Sequence, residues 1–320
     1  MLDLPDHWVW DFWGADDGAR RHLFFLKAPR SLGDPDLRHR NASVGHAVSE
    51  DLQTWSPVAD ALLPAPSPAF DDLAIWTGCV VREDESRWRL FYTGLARADD
   101  GSVQRIGSAV SDDLIAWRRT PGLPLEADER WYERRPATTW PEEAWRDPWV
   151  VRDEAGGWHM YVTARSGTGS GLGVVGHATS EDLTSWVVKP PLSAPTGRFE
   201  WLEVIQLVRV EGRWVVLFSC LSDQMPGAGP GAGGVWSVPV NGPGSRVDVD
   251  RAVRLTSEDL YVGKVWTEAD GSTRLLAFQN RGPDGRFTGG VVSPLVVGWK
   301  DDGSGLRFTG GEGRWHPRPG

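Results

Sequence analysis

Three carboxylic acids interrupt apolar, strand-like runs: Asp11 in VWDFW, Asp147 in WRDPWVV and Glu203 in WLEVIQLV. A carboxylate inside such a run is expensive to bury unless it has a partner or a task. If the three converge, the chemistry they suit is cleavage of a glycosidic bond. One carboxyl protonates the leaving oxygen, and another attacks the anomeric carbon or activates a water. The third, held charged beside an arginine such as Arg146, suits ring hydroxyls whose hydrogen bonds strengthen in the transition state. Trp8, Trp10, Trp13, Trp76, Trp145 and Trp201 neighbour these positions and offer flat faces to a sugar ring. Taken singly, each acid is equally well explained by a structural ion pair, because a slip of one residue in strand register turns a side chain to the opposite face.

The elements that must position these acids are set by an internal repeat. VGHAVSEDLQTW (Val44 to Trp55), IGSAVSDDLIAW (Ile106 to Trp117) and VGHATSEDLTSW (Val175 to Trp186) are copies of one pattern. Each reads as a short strand, a turn at Ser-acid-Asp-Leu, and a second strand carrying the tryptophan. Upstream lie RWRLFYTG, GWHMYVTA and GRWVVLFSC, with RRHLFFLKA and STRLLAFQN in equivalent slots. One more strand precedes each of these across a polar turn: VWDFW, IWTGCVV, RDPWVV, LEVIQLVRV and YVGKVW. Apolar and polar residues alternate with period two, and Gly, Asp and Pro mark the corners. Five such units predict an all-β protein, a five-bladed β-propeller with four-stranded antiparallel blades, spanning residues 1–320 as one catalytic domain. The first strand of each blade then lines the axis, and the three acids come from blades one, three and four.

Residues that obey the repeat are structural. Glu50, Asp51, Asp112, Asp113, Glu181 and Asp182 recur in every copy and read as turn formers. His46 and His177 share one repeat position, which argues for packing. Trp55, Trp117 and Trp186 are blade-packing residues. GAGPGAGG, from Gly227 to Gly234, lacks the spacing of a phosphate-cradling loop and reads as a surface loop in the fourth unit.

Composition narrows the partners. Lys and Arg number 34 against 44 Asp and Glu, a net charge of −10, which repels nucleic acid and anionic lipid. The start, MLDLPDHWVWDFW, has no basic segment before an apolar one, and no run approaches a membrane span; a cytoplasmic protein is expected. Cys79 and Cys220 sit in apolar runs without a CxxC spacing and are expected to be buried free thiols. Neither a metal nor another cofactor is expected. The 19 tryptophans and 38 glycines suit a β-protein that binds something flat and polyhydroxylated.

These residues resemble the clan of five-bladed propeller glycoside hydrolases that contains families 32 and 68. HLFFLKA followed by VGHAVSEDLQTW and ADALLP is similar to family 32, as is DDLAIWTGCVV. VWDFWGADDG is closer to the family 68 nucleophile strand, and WRDPWVV carries the Arg-Asp-Pro of both. The resemblance extends over roughly residues 8 to 220. Glu203 lies in LEVIQ, which is neither the Glu-Cys of family 32 nor the Glu-Arg-Pro of family 68. Because five units take up the 320 residues, no counterpart of the β-sandwich usual after the family 32 propeller is expected.

The resemblance implies Asp11 as nucleophile, Asp147 as stabiliser of the transition state through fructosyl hydroxyls, and Glu203 as general acid and base. It implies Trp76, Thr77 and Arg146 at the border of the innermost subsite, and Trp10 stacked on the sugar. The expected activity is retaining cleavage of a β-fructofuranosyl bond in sucrose, a short fructo-oligosaccharide or a related fructose disaccharide, with transfer to a second sugar as a variant outcome. The alternatives are an inverting furanosidase resembling family 43 and a non-catalytic sugar-binding propeller. Many family 43 enzymes hold a histidine-linked calcium on the axis, whereas this chain has no histidine between His177 and His316. The loops Arg30 to Arg40, Ala127 to Glu143 and Met225 to Gly234 are expected to surround the leaving group.

Overall fold

The computed structural model describes residues 1–309 except Leu123, Thr139, residues 169–171 and Ala269; His316 lies outside them. Five four-stranded antiparallel sheets follow one another along the chain, each with its strands in sequence order, so the expected five-bladed propeller is observed. The innermost strands are β1 (His7–Asp16), β5 (Ala74–Arg82), β9 (Trp145–Arg152), β13 (Glu203–Val210) and β17 (Leu260–Thr267). They are followed by the second strands β2 (Arg21–Pro29), β6 (Trp88–Leu95), β10 (Trp158–Arg165), β14 (Arg213–Cys220) and β18 (Thr273–Gln279). Neighbouring innermost strands touch, and β17 meets β1 to close the ring. The N-terminus reinforces that closure: Leu2 and Val291 exchange backbone hydrogen bonds of 3.0 and 2.8 Å. The helical elements are short 3₁₀ turns, and no helix among the described residues is long and apolar enough to cross a membrane.

The repeat behaves as its symmetry predicts. Asp51, Asp113 and Asp182 each accept two backbone N–H groups at 2.7–2.8 Å, while Glu50, Asp112 and Glu181 stand exposed beside them. Leu52, Leu114 and Leu183 take up φ of 59°, 64° and 63°, which closes the turn. The indoles of Trp55, Trp117 and Trp186 donate to the carbonyls of those leucines. These tryptophans end the turn just before the fourth strand and are not within it, because the indole must fold back onto the turn. His46 and His177 pack as expected. Each imidazole stacks on a second histidine, His22 or His159, hydrogen-bonded at 3.0 and 2.8 Å, and that partner reaches Asp17 or Asp153. Cys79 and Cys220 are buried and free, and burial pushes the Cys79 thiol up to about 12.

All five innermost strands carry one extra residue relative to their neighbour. The register breaks between Trp10 and Phe12, between Trp76 and Gly78, and opposite Val162, Phe218 and Ala277 in blades three to five. Such bulges kink a strand and re-aim its side chains. Aligned on them, the strands read WDFW, WTGC, RDPW, EVIQ and YVGK. In blades three to five the bulge residue, Asp147, Val204 or Val262, has φ of 58°, 51° or 52°, a conformation unfavourable for a side chain with a Cβ. What holds it is an inter-blade lock. The N–H groups of Asp147, Val204 and Val262 donate to the hydroxyls of Thr93, Thr163 and Ser219 at 2.9, 3.2 and 3.0 Å. Each of those hydroxyls sits on the second strand of the preceding blade. Thr93→Val keeps the shape and removes the acceptor, so it should destabilise the fold by about 1–3 kcal/mol. Urea unfolding measures this, and an unchanged midpoint would deny the lock any weight.

Candidate functional site

The bulges bring two rings of side chains to one mouth of the axial channel. The position before each bulge supplies Trp10, Trp76, Arg146, Glu203 and Tyr261, and the bulge itself supplies Asp11, Thr77, Asp147 and Val204. All nine line one cavity of about 480 Å³. Asp11, Asp147 and Glu203 are therefore brought together, as are Trp10, Trp76, Thr77 and Arg146. The acids do not share a register: Asp11 and Asp147 are bulge residues, whereas Glu203 precedes its bulge and has one more methylene to extend from there.

Each carboxyl has its own bonding. Thr77 Oγ1 donates to Asp11 Oδ2 at 2.6 Å, and Thr163 Oγ1 donates to Asp147 Oδ2 at 2.8 Å. Glu203 accepts on both oxygens, from Arg146 at 2.7 Å and from the Tyr261 hydroxyl at 2.6 Å. Arg146 stands 3.5 Å from Asp147, so its shorter contact is with Glu203 and not with the neighbouring aspartate. Its guanidinium lies over Trp201, 4.3 Å from the ring centroid, and also donates to Gln104. Burial and the nearby Asp147 raise the Asp11 carboxyl from 3.8 to about 7, with Glu203 adding to the rise and Thr77 opposing it. Burial likewise raises Asp147, against the pull of Arg146. Burial and Glu203 hold the Tyr261 phenol well above its ordinary value, so it stays a donor.

The rim departs from the sequence expectation in two ways. Trp8, Trp13 and Trp145 do not face the cavity. Their indoles are buried in the blade cores, which leaves Trp10, Trp76 and Trp201 of that set, joined by Trp140. The loop Met225 to Gly234 contributes nothing to the lining, and Gln224 and Asn280 stand at the mouth instead. The loops Arg30 to Arg40 and Ala127 to Glu143 do contribute, the first through Arg38, His39 and Arg40, the second through Trp140 and Glu142. The His39 ring is wedged edge-on between Trp10 and Trp76, and the Trp76 indole donates to the His39 carbonyl at 2.6 Å. Tyr261 carries no charge to single it out in the sequence, yet its place before the bulge in YVGK marks it.

A cavity floored by carboxyls and walled by tryptophans, on the axis of a five-bladed propeller, has the chemistry that suits a polyhydroxylated ring. The family model described as the glycosyl hydrolases family 32 N-terminal domain matches residues 19–239, and the chain belongs to that family. It is similar to sucrose-6-phosphate hydrolase of Bacillus subtilis (30% identical over 173 residues, 54% of this chain and 32% of that protein). It is also similar to the β-fructofuranosidase, insoluble isoenzyme CWINV6, of Arabidopsis thaliana (27% identical, 56% of this chain and 31% of that protein). The chain thus spans about a third of the length of these relatives. Among solved structures, the inulosucrase from Halalkalicoccus jeotgali bound to kestose shares the fold, with a TM-score of 0.78 at 22% identity over 97% of this chain and 89% of that one. The Bombyx mori GH32 β-fructofuranosidase does too, with a TM-score of 0.70 at 19% identity, covering 94% and 62%.

The raised Asp11 carboxyl has a consequence for stability. An acid whose folded value lies above its unfolded one weakens the fold while it is charged. The penalty is complete above about pH 7 and disappears as pH falls below the ordinary 3.8. Asp11→Asn should therefore melt roughly 3 °C or more above the parent at pH 8, with the two curves meeting near pH 4. Equal melting temperatures at both pH values would show that Asp11 carries no such strain.

Proposed function

We propose that the chain is a retaining glycoside hydrolase that cleaves a β-fructofuranosyl bond, with residues 1–320 acting as one catalytic domain. The observation that carries the reading is the convergence of Asp11, Asp147 and Glu203 in one cavity, with Glu203 gripped by Arg146 and Tyr261. Asp11 attacks the anomeric carbon while Glu203 gives its proton to the leaving oxygen, so the glycosidic bond breaks as the carboxylate–sugar bond forms. Glu203 then takes a proton from water, whose oxygen displaces Asp11 and restores the original configuration; a second sugar in place of water gives transfer. Asp147 and Arg146 hold the ring hydroxyls, Thr77 orients Asp11, and Trp10 and Trp76 form the walls of the innermost subsite. Membership of family 32 and the names of the related proteins support sucrose or a short fructo-oligosaccharide as substrate. The chemistry asks for no cofactor. A cytoplasmic location agrees with an enzyme for small sugars.

In the free site Glu203 accepts from both Arg146 and Tyr261, while burial and the nearby Asp147 push the Asp11 carboxyl up to about 7. Attack on the anomeric carbon needs Asp11 as the carboxylate. Hydrolysis of sucrose, followed as kcat/KM, should accordingly rise as pH climbs toward about 7 and Asp11 ionises. A rate that holds level from about pH 5 to 8 would contradict that requirement. Asp11→Asn should lower turnover by at least about 10³-fold with the fold intact. NMR of the first-formed fructose anomer should show retention; inversion would transfer the chemistry to a base-activated water.

A further inference from the structure

Two residues beyond each bulge position, the innermost strands place a third ring beneath the cavity floor: Trp13, Cys79, Trp149, Gln206 and Lys264. Lys264, from β17, is 5% exposed and carries a cation into this layer. Its ammonium donates to the carbonyls of Val204 and Ile205, both at 3.2 Å, and stands 4.5 Å from the centroid of Trp149. Consecutive carbonyls of a regular strand point to opposite sides. Here the register of β13 jumps from Glu203 opposite Ser219 to Gln206 opposite Leu217, and the bulge turns both intervening carbonyls toward one donor. On its other side Val204 donates to Thr163 and, at 3.4 Å, to Asp147 Oδ2. The residue immediately before this clamped segment is Glu203.

We propose that Lys264 is a positioning residue for Glu203: by tying down the two carbonyls of the blade-four bulge from blade five, it fixes the strand that aims Glu203 at the leaving group. The inference rests on Glu203 being the general acid. The partners of Lys264 are backbone carbonyls and an aromatic face, and the carbonyls belong to the segment that presents the acid. Burial draws the amine down to about 8 while Cys79, Asp147 and Asp11 support its charge, so it remains an ammonium at neutral pH.

The test separates aim from general integrity by comparing two donors. Departure of the glucose unit of sucrose needs a proton, whereas fluoride leaves β-fructosyl fluoride without one. Lys264→Met, with folding verified by circular dichroism and melting temperature, should lose about tenfold or more of kcat/KM on sucrose and less than about threefold on the fluoride. Glu203→Gln should show the same split and Asp11→Asn should lose both donors. A Glu203→Gln variant that hydrolyses sucrose normally, or that loses both donors alike, would overturn the assignment of the acid itself. With that split present, equal losses on both donors in Lys264→Met, or none on either, would overturn the role of Lys264. Lys264→Gln carries the same comparison if the methionine variant does not fold. Failure of both to fold would assign Lys264 to propeller stability and reject the proposal.

Discussion

The structure depends on the bulge in each innermost strand. A regular strand at the axis would send alternate side chains into the two neighbouring blade interfaces and leave the channel mouth lined by whichever residues the pleat happened to present. One extra residue per strand changes that, turning two consecutive positions of blades one to four, and Tyr261 of blade five, toward the same mouth. The backbone conformation is unfavourable for Asp147, Val204 and Val262, and it persists because the preceding blade holds it with a hydroxyl. The geometry of the cavity mouth and the packing of the blades are thus maintained by the same hydrogen bonds. A blade that shifted would lose both its bulge and the side chain the bulge aims.

Charge is the second constraint. Three carboxyls around one cavity repel one another and resist burial, which is why Asp11 and Asp147 are both displaced toward their neutral forms. The opposing cations are few and are shared. Arg146 serves Glu203 directly and Asp147 at longer range, while Lys264 supports the floor from below. Such an arrangement does not minimise energy, since a buried ion pair seldom repays its desolvation. Its value lies in giving the carboxyls of one cavity unequal surroundings, with Asp11 raised by burial and Asp147 while Glu203 is gripped by Arg146 and Tyr261.

Most of the fold was legible because symmetry made it redundant. Three copies of the Ser-acid-Asp-Leu turn, five polar turns between first and second strands, and alternating apolar residues all pointed to one blade, and any single misreading was outvoted. The acids were legible for the opposite reason: Asp11, Asp147 and Glu203 break the repeat, so they stand out against it. What escaped was neither a broken repeat nor a charge. Tyr261 and Trp140 look like the many other aromatics of the chain, and only position distinguishes a buried indole such as Trp145 from a pocket-facing one such as Trp201. Trp8 and Trp13 were misassigned for the same reason, because adjacency in sequence to an acid means little once a pleat and a bulge intervene. The rim loops are set by tertiary packing; residues 225–234 lie off the cavity although that loop was expected to surround the leaving group.

A five-fold backbone supports an asymmetric site because the bulges share one register. The position before the bulge is tryptophan in blades one and two, arginine in three, glutamate in four and tyrosine in five, yet all five side chains meet the same space. A wall, a cation, an acid and a proton donor are obtained from one backbone solution repeated. The cost of changing any of them is local, because the blade is defended by its turn and its core, and not by the residue it presents at the mouth. Glu203 illustrates the limit of that freedom. It occupies the Arg146 register and not the Asp11 register, so a carboxyl there reaches the floor only with the longer side chain, and only while the segment behind it is held in place.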